Sequence, residues 1–404
     1  MKLIEGKYAA AKVFTDNIEE SASQQILALC NQSFVDGCKI RIMPDVHAGT
    51  GCVIGFTADL GNKIIPSIVG VDIGCGMLVA ELGKNYIDLK KLDDVIHARI
   101  PAGMAVHEKP TLEENFLYNL TCKDFLHNID WIIRSLGTLG GGNHFIELDE
   151  DDGDNQYLVI HTGSRNLGKQ VAEYYQNVAI SNLKGKNKKK EAVDALINQL
   201  KAEGREKEIS QKLSELDFKF PDIPNELCYL EGKDREAYLH DMKICQNFAT
   251  MNRLHIMNEI LNGVGLQEKI PEIHFFQTVH NYIDMSDNII RKGSVSAKKG
   301  ERLIIPLNMK DGSLICIGKG NPDWNCSAPH GAGRMYSRAA AKKAFSIDEF
   351  KKQMDGIYST SVNEDTLDEC PMAYKPSQEI IDAISPTVEI INHIKPVYNF
   401  KAGE

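Results

Sequence analysis

The stretch "GVDIGCGM" at residues 70–77 sets a carboxylate, Asp72, and a thiol, Cys75, three positions apart among Gly70, Gly74 and Gly76. Glycines clear side chains from around the pair and let another group approach the backbone. Four histidines share this setting. His144 follows the glycine-rich turn of "LGTLGGGNHFIEL" (136–148), with Asn143 before it. His161 ends an apolar run in "YLVIHTGSRNLGKQVA", where Thr162, Gly163, Ser164 and Arg165 make a turn at a coming helix N-terminus, a good place for an anion. His280, followed by Asn281, ends the run of "FFQTVHNYID". His330 sits in the Gly-flanked turn of "SAPHGAGRMYSRAAAKKAF", and the spacing of Arg334 and Arg338 predicts one shared helical face.

One such histidine is more often a hydrogen-bonded structural residue than a ligand. Four at strand ends or glycine turns, together with Asp72 and Cys75, make a set that structural duty explains poorly. An ionised thiol can bridge two cations. A carboxylate and imidazoles complete a mixed O/N/S site suited to Zn, Mn, Fe or Co. Two divalent ions beside glycine-rich anion pockets point to phosphoryl chemistry. The chain has no G-x-x-x-x-G-K-[ST] and no G-x-G-x-x-G after a strand, which excludes P-loop and Rossmann readings. The residues by themselves describe a metal-dependent enzyme acting on phosphate esters or a nucleotide.

The elements that must position this set come from a chain of 404 residues, enough for one large domain or two ordinary ones. No composition break divides it. Glycine-punctuated apolar runs at 51–80 and 156–162 read as strands and tight turns, and strands dominate again from 272 to 317. Helical spacing marks 112–135, 336–355 and 377–385. Residues 188–216 read as two charged helices around Gly204, a helical insertion on a β-rich body that opens with the basic run Lys184, Lys186, Lys188, Lys189 and Lys190. A solvated face suits that run better than an RNA contact. The net charge of −10 confines any polyanion site to a local basic patch. No apolar stretch is long enough for a membrane span, the start lacks a secretion signal, and ten scattered cysteines without C-x-x-C suit free thiols in a reducing cytoplasm.

The segments "MPDVHAGTGCVIG", "IIPSIVGVDIGCGM", "LGTLGGGNHFIEL", "HTGSRNLG", "HNYI", "RKGSVSA", "SAPHGAGRMYSR" and "PMAYK" occur in the order seen in the RtcB family. From about residue 40 to the C-terminus the chain resembles those GTP- and Mn-dependent RNA ligases. The resemblance implies one α+β domain over 1–404, built of packed β-sheets flanked by helices, with the insertion at 178–222 inside it. No K-x-D-G motif supplies a lysine nucleophile, in keeping with this family. By the same resemblance, Asp72, Cys75 and His144 bind one Mn, and Cys75, His161 and His280 bind a second, with Cys75 bridging. His330 takes GMP from GTP. Nucleotide contacts fall to Asn143, His144, Phe145, Ile146, Glu147, His280, Asn281, Pro306, Leu307, Asn308, Met309, Ser313, Gly331, Ala332, Gly333, Tyr374 and Lys401. Tyr374 stacks on the base, Lys401 contacts guanine, and Arg165 holds an RNA phosphate.

The implied reaction joins an RNA 3′-phosphate or 2′,3′-cyclic phosphate to a 5′-hydroxyl in tRNA splicing or RNA repair, with an archease-type activator as a possible partner and no membrane. One motif departs from the family. "PLNM", Pro306–Met309, stands where the common pattern is P-G-S-M. If that glycine needs positive φ or close approach to a phosphate, Leu307 alters the nucleotide pocket. Two other classes fit the residues: a metallophosphoesterase that trims RNA ends, and a non-catalytic RNA-end-binding protein. Guanylylation by GTP separates the first from a ligase, and the bridging thiol and His330 speak against the second.

Overall fold

The computed structural model describes residues 1–215 and 221–403. Fifteen strands appear in it: β1 Lys2–Glu5, β2 Ala10–Val13, β3 Ile40–His47, β4 Ile54–Asp59, β5 Gly76–Gly83, β6 Phe145–Glu150, β7 Gln156–Thr162, β8 His274–Val279, β9 Asn281–Asp284, β10 Ile289–Lys292, β11 Ser294–Ser296, β12 Arg302–Asn308, β13 Gly312–Gly318, β14 Ser327–Pro329 and β15 Val388–Lys401. The helices are α1 Glu20–Cys30, α2 Pro66–Val69, α3 Leu89–Arg99, α4 Ile129–Arg134, α5 Arg165–Leu183, α6 Lys186–Ala202, α7 Ile209–Ser214, α8 Gly232–Val264, α9 Arg338–Ala344, α10 Ile347–Gln353 and α11 Ser377–Ile384. The fold is α+β.

Two larger sheets carry the architecture. One has the order β1-β2-β3-β4-β10-β9, and the other the order β12-β13-β15-β6-β7-β5-β8. The seven-stranded sheet is antiparallel throughout. Its edge strands approach each other, with the Ile304 N–H donating to Thr278 Oγ1 at 3.2 Å, so the sheet is nearly closed. Strand alternation sends Met77, Val79, Val159, Ile304, Ile315 and Ile394 into its interior. The opposite side of β5, β6 and β7, with Leu78, Ile146, Leu148 and Ile160, packs on α3 and α8.

The helix α8 was not among the sequence expectations. It runs 33 residues and ends at Gly265 in the left-handed conformation, φ +94°. Polar Asp241, Asn252 and Arg253 lie on its buried face, which blurs the apolar period that would have announced it. The helix expected at 112–135 is instead two short 3₁₀ turns, Glu114–Asn119 and Lys123–Phe125, followed by α4. Leu120 and Leu126 are extended and Asn128 has φ +54°, so the hydrogen-bond ladder is interrupted three times. The segment expected at 336–355 is likewise two helices, split at extended Phe345 and restarted by a Ser346–Glu349 capping box. Around Gly204, φ +69°, the two charged helices are α6 and α7. Residues 216–220 of the expected insertion lie outside the described residues, as do the side chains of Lys186 and Lys188 in the basic run. All ten cysteines are free thiols. No helix among the described residues is long and apolar enough to cross a membrane.

Candidate active site

Antiparallel pairing explains how residues 205 positions apart meet. β5 and β6 begin, and β7 and β8 end, at the same rim of the sheet: Gly76 pairs with Thr162 and Val279, and Phe145 with His161. Cys75 precedes β5, His144 precedes β6, His161 is near the end of β7, and His280 follows β8. The rim is crowded. A Cβ on Gly76 would lie 2.4 Å from the Thr278 carbonyl, and one on Gly163 would lie 2.1 Å from Asp72 Oδ1.

Cys75 Sγ stands 3.5 Å from His144 Nε2 and 3.4 Å from His161 Nε2. His144 Nε2 is 3.0 Å from Asp72 Oδ2, and His161 Nε2 is 3.4 Å from His280 Nε2. The Nδ1–H of His144 donates to Leu139 O at 2.9 Å and that of His161 to Asn143 O at 3.2 Å, because a carbonyl can only accept. Both Nε2 atoms therefore present lone pairs to one another's neighbours: to a carboxylate, a sulfur and a third imidazole. A cation placed among these converging donor atoms would satisfy them together. Ligands about 2.1 Å from a tetrahedral ion sit roughly 3.4 Å apart, so the donor set fits a divalent cation. Burial pulls His161 and His280 well below the ordinary histidine range, with neighbouring histidines adding to it. These rings are thus in the neutral form that ligates metal. Cys75, His144 and His161 together could hold a metal ion.

Next to this rim a cavity of about 570 Å³ opens. His330 lines it, with its ring 4.8 Å from that of His280. Its Nδ1 is 2.7 Å from Asp45 Oδ2, and its backbone N–H donates to the same oxygen at 3.1 Å. A carboxylate only accepts, so Nδ1 carries a proton, and in the neutral ring Nε2 bears the lone pair, without a partner among the described residues. His47 also lines the cavity, held at about 4 by burial, with its Nδ1–H on the Asp45 carbonyl at 3.0 Å. Arg334, Tyr374 and Lys401 also line it and converge on buried Glu369, Arg334 at 2.8 Å, Lys401 at 2.6 Å and Tyr374 through its hydroxyl. Burial works against the ionisation of Glu369, but Lys401, Arg334 and Arg338 hold it at about 2.

A family model described as tRNA-splicing ligase RtcB matches residues 28–128 and 127–402. The chain belongs to the RtcB family. It is 30% identical to the RNA-splicing ligase RtcB of Escherichia coli K12 over 98% of both chains. It is 26% identical to the tRNA-splicing ligase RtcB of Nanoarchaeum equitans over 84% of this chain and 83% of that one. It is 25% identical to the RNA-splicing ligase RtcB2 of Escherichia coli ATCC 25922 over 95% and 93%.

Of the nucleotide contacts that the RtcB resemblance implies, Asn143, Phe145, Glu147, Pro306, Leu307, Asn308, Met309, His330, Gly331, Ala332, Gly333, Tyr374 and Lys401 line the cavity. His144 and His280 stand at the rim beside it. Three expected contacts do not reach it. Ile146 alternates to the opposite face of β6 and packs in the core. Asn281 spends its amide on Asp72 O and the Gly293 N–H. Ser313 is buried in β13 opposite Pro306.

Arg334 and Arg338 do not share a helical face. α9 starts only at Arg338, and Arg334 bridges to Tyr374 before it. They converge through Glu369 instead, at 2.8 and 3.4 Å. Arg165 begins α5 with φ +57° and reaches Thr138 Oγ1 and Gly103 O. Leu307 is not at positive φ. It lies in β12 with its side chain buried among Val295, Leu303 and Leu314. Asn308 caps its own turn, accepting from the Lys310 and Asp311 N–H groups. "PLNM" is therefore a strand end carrying a core leucine. Asp45, His47 and Glu369 were not foreseen, although Asp45 and His47 stand in the quoted "MPDVHAG".

Proposed function

We propose that this chain is a GTP- and Mn-dependent RNA ligase that joins RNA 3′-phosphate or 2′,3′-cyclic phosphate ends to 5′-hydroxyl ends through a histidine–GMP intermediate. The observation that carries the reading is the Asp45–His330 pair, which aims a free Nε2 lone pair into a cavity beside a cation-binding rim. The names of the relatives, RNA- and tRNA-splicing ligases, support the substrate class.

His330 Nε2 attacks the α-phosphorus of GTP, an N–P bond forms and pyrophosphate leaves. The ring gains positive charge as it does so, and the Asp45 carboxylate at 2.7 Å offsets it. An oxygen of the RNA 3′-phosphate then takes the guanylate from His330, which returns to its starting form. The 5′-hydroxyl attacks the activated 3′-phosphorus and GMP departs. Asp72, Cys75, His144, His161 and His280 would hold two Mn ions. When bound, these supply charge neutralisation at the phosphates. Phe145, Tyr374 and Lys401 bound the end of the cavity suited to the base, with Lys401 Nζ 5.7 Å from the Phe145 ring centre. A cyclic phosphate is opened by water before guanylylation. tRNA splicing or RNA repair in the cytoplasm is the setting this chemistry serves.

The test is incubation with α-labelled GTP and Mn, then a denaturing gel with acid or alkali treatment. A phosphoramidate on histidine is lost in acid and persists in alkali. His330→Ala should take no label yet still join RNA carrying a pre-formed 3′ guanylate. Label retained by His330→Ala refutes the assignment, as does its failure on pre-activated RNA with metals still bound.

A further inference from the structure

The helix α8 places two fully buried polar residues side by side behind the rim, Asn252 and Arg253. Neither faces the nucleotide cavity. Among the described residues Arg253 makes no ion pair with a carboxylate. Its Nη1 donates to Gly74 O at 3.1 Å and Thr162 O at 2.8 Å, and its Nε to Gln277 Oε1 at 2.8 Å. Its Nη2 is buried and unpaired. Those partners are the residue before Cys75, the residue after His161, and a residue of the strand that leads to His280. Asn252 grips the remaining arm. Its Oδ1 accepts from the Gly137 and Thr138 N–H groups at 2.6 and 3.1 Å, and its Nδ2 donates to Thr138 O, Thr162 Oγ1 and Gly163 O at 3.1–3.2 Å. The next residue, Leu139, is the one whose carbonyl fixes His144 Nδ1. Thr162 Oγ1 bonds the same carbonyl at 2.8 Å.

Packing alone does not call for this pair. An apolar side chain of similar volume fills a helix–sheet interface at less cost than a buried guanidinium without a carboxylate partner. Most of the hydrogen bonds go instead to the backbone on either side of the metal donors.

We propose that Asn252 and Arg253 are positioning residues for the metal centre, Arg253 aligning the Cys75 and His161 arms and Asn252 the His144 arm. This rests on the metal reading above. Outer partners of metal ligands typically change affinity by about 10–100-fold when removed. The same range is expected for Arg253→Met and for Asn252→Asp, which loses the three donations.

The experiment uses the full chain and Co(II) as the probe, followed by its thiolate charge-transfer and visible bands, with affinity from chelator competition. Arg253→Met should bind Co(II) at least about tenfold more weakly with a shifted thiolate band. Arg253→Lys should recover part of both, since an ammonium can reach one of the two carbonyls. Far-UV circular dichroism and metal-free unfolding midpoints are recorded on each variant. A lowered metal-free midpoint with unchanged Co(II) affinity and spectrum would overturn the proposal in favour of plain packing. If Arg253→Met does not fold, Arg253→Lys decides: wild-type affinity and bands would overturn the proposal, and weakened binding in a folded protein supports it. Wild-type protein without any Co(II) band would remove the metal reading itself and the pair's role with it.

Discussion

Asp45→Asn isolates the charge behind the nucleophile. The Asp45 carboxylate is fully buried, and one of its oxygens serves both the His330 backbone N–H at 3.1 Å and Nδ1 at 2.7 Å. In the asparagine variant the amide oxygen must occupy that position, because the backbone N–H needs an acceptor there. The ring tautomer and the exposed Nε2 are thereby kept, and what is lost is charge. Two unit charges with centres about 4 Å apart at an effective dielectric near 20 interact by about 4 kcal/mol. Half a unit of positive charge on the ring in the transition state makes the loss about 2 kcal/mol, or roughly thirtyfold in rate. Single-turnover transfer of α-labelled GMP from GTP to protein measures it, with Asp45→Ala alongside. The alanine variant should be slower still, since it also leaves the backbone N–H unpaired and the ring free to turn. Joining of RNA with a pre-formed 3′ guanylate should fall far less in Asp45→Asn. Loss of less than about threefold would refute the charge argument. A loss equal to that of Asp45→Ala would show that orientation, not charge, is what Asp45 supplies.

Cys75→Ser should weaken the binding of both ions, because a hydroxyl keeps its proton where a thiol gives it up, while Asp72→Asn should weaken mainly one; calorimetric titration with Mn shows whether both sites suffer. Leu307→Gly removes a buried strand side chain at a position without positive φ, so restoring the family glycine should cost about 3–5 kcal/mol of stability, read from urea midpoints, and an unchanged midpoint would mean the site collapses without cost. Asp149 is buried with both carboxylate oxygens unpaired, and burial, then Glu147, raise it well above the carboxylate range. Its folded form keeps a proton that the unfolded chain sheds near pH 4, so metal-free stability should fall as pH rises, by up to about 1.4 kcal/mol per unit. Asp149→Asn should flatten that fall between pH 5 and 8, and parallel profiles for the two proteins would show that Asp149 does not cause it.

The individual donors were legible in the sequence because each carries a local mark. Asp72 and Cys75 lie among glycines, and the histidines sit where apolar runs stop. Short-range order is what a sequence encodes directly, and it also announced α6, α7, α11 and the strands between 272 and 317. The composition settled a large acidic chain without a spanning apolar stretch. Motif order was enough for the family.

What joins the donors is long-range, and only the tertiary structure decided it. Cys75 and His280 meet because β5 and β8 are antiparallel neighbours, a pairing that no local pattern specifies. Asp45 reaches His330 across 285 residues, and its role depends on a single bond to Nδ1. Arg334 and Arg338 looked like one helical face, yet the helix begins at Arg338 and a buried carboxylate 35 positions beyond Arg334 gathers them. Leu307 reads as a foreign side chain in a nucleotide loop until the backbone shows a strand and a core beneath it. The longest helix was the least visible. Its inner face carries Asn252 and Arg253, which break the apolar period, and most of their partners are backbone groups distant in sequence. Side-chain type and spacing determine local conformation and chemical capacity. Which capacities share one site is set by strand register and by hydrogen bonds to the main chain, and those exist only once the chain has folded.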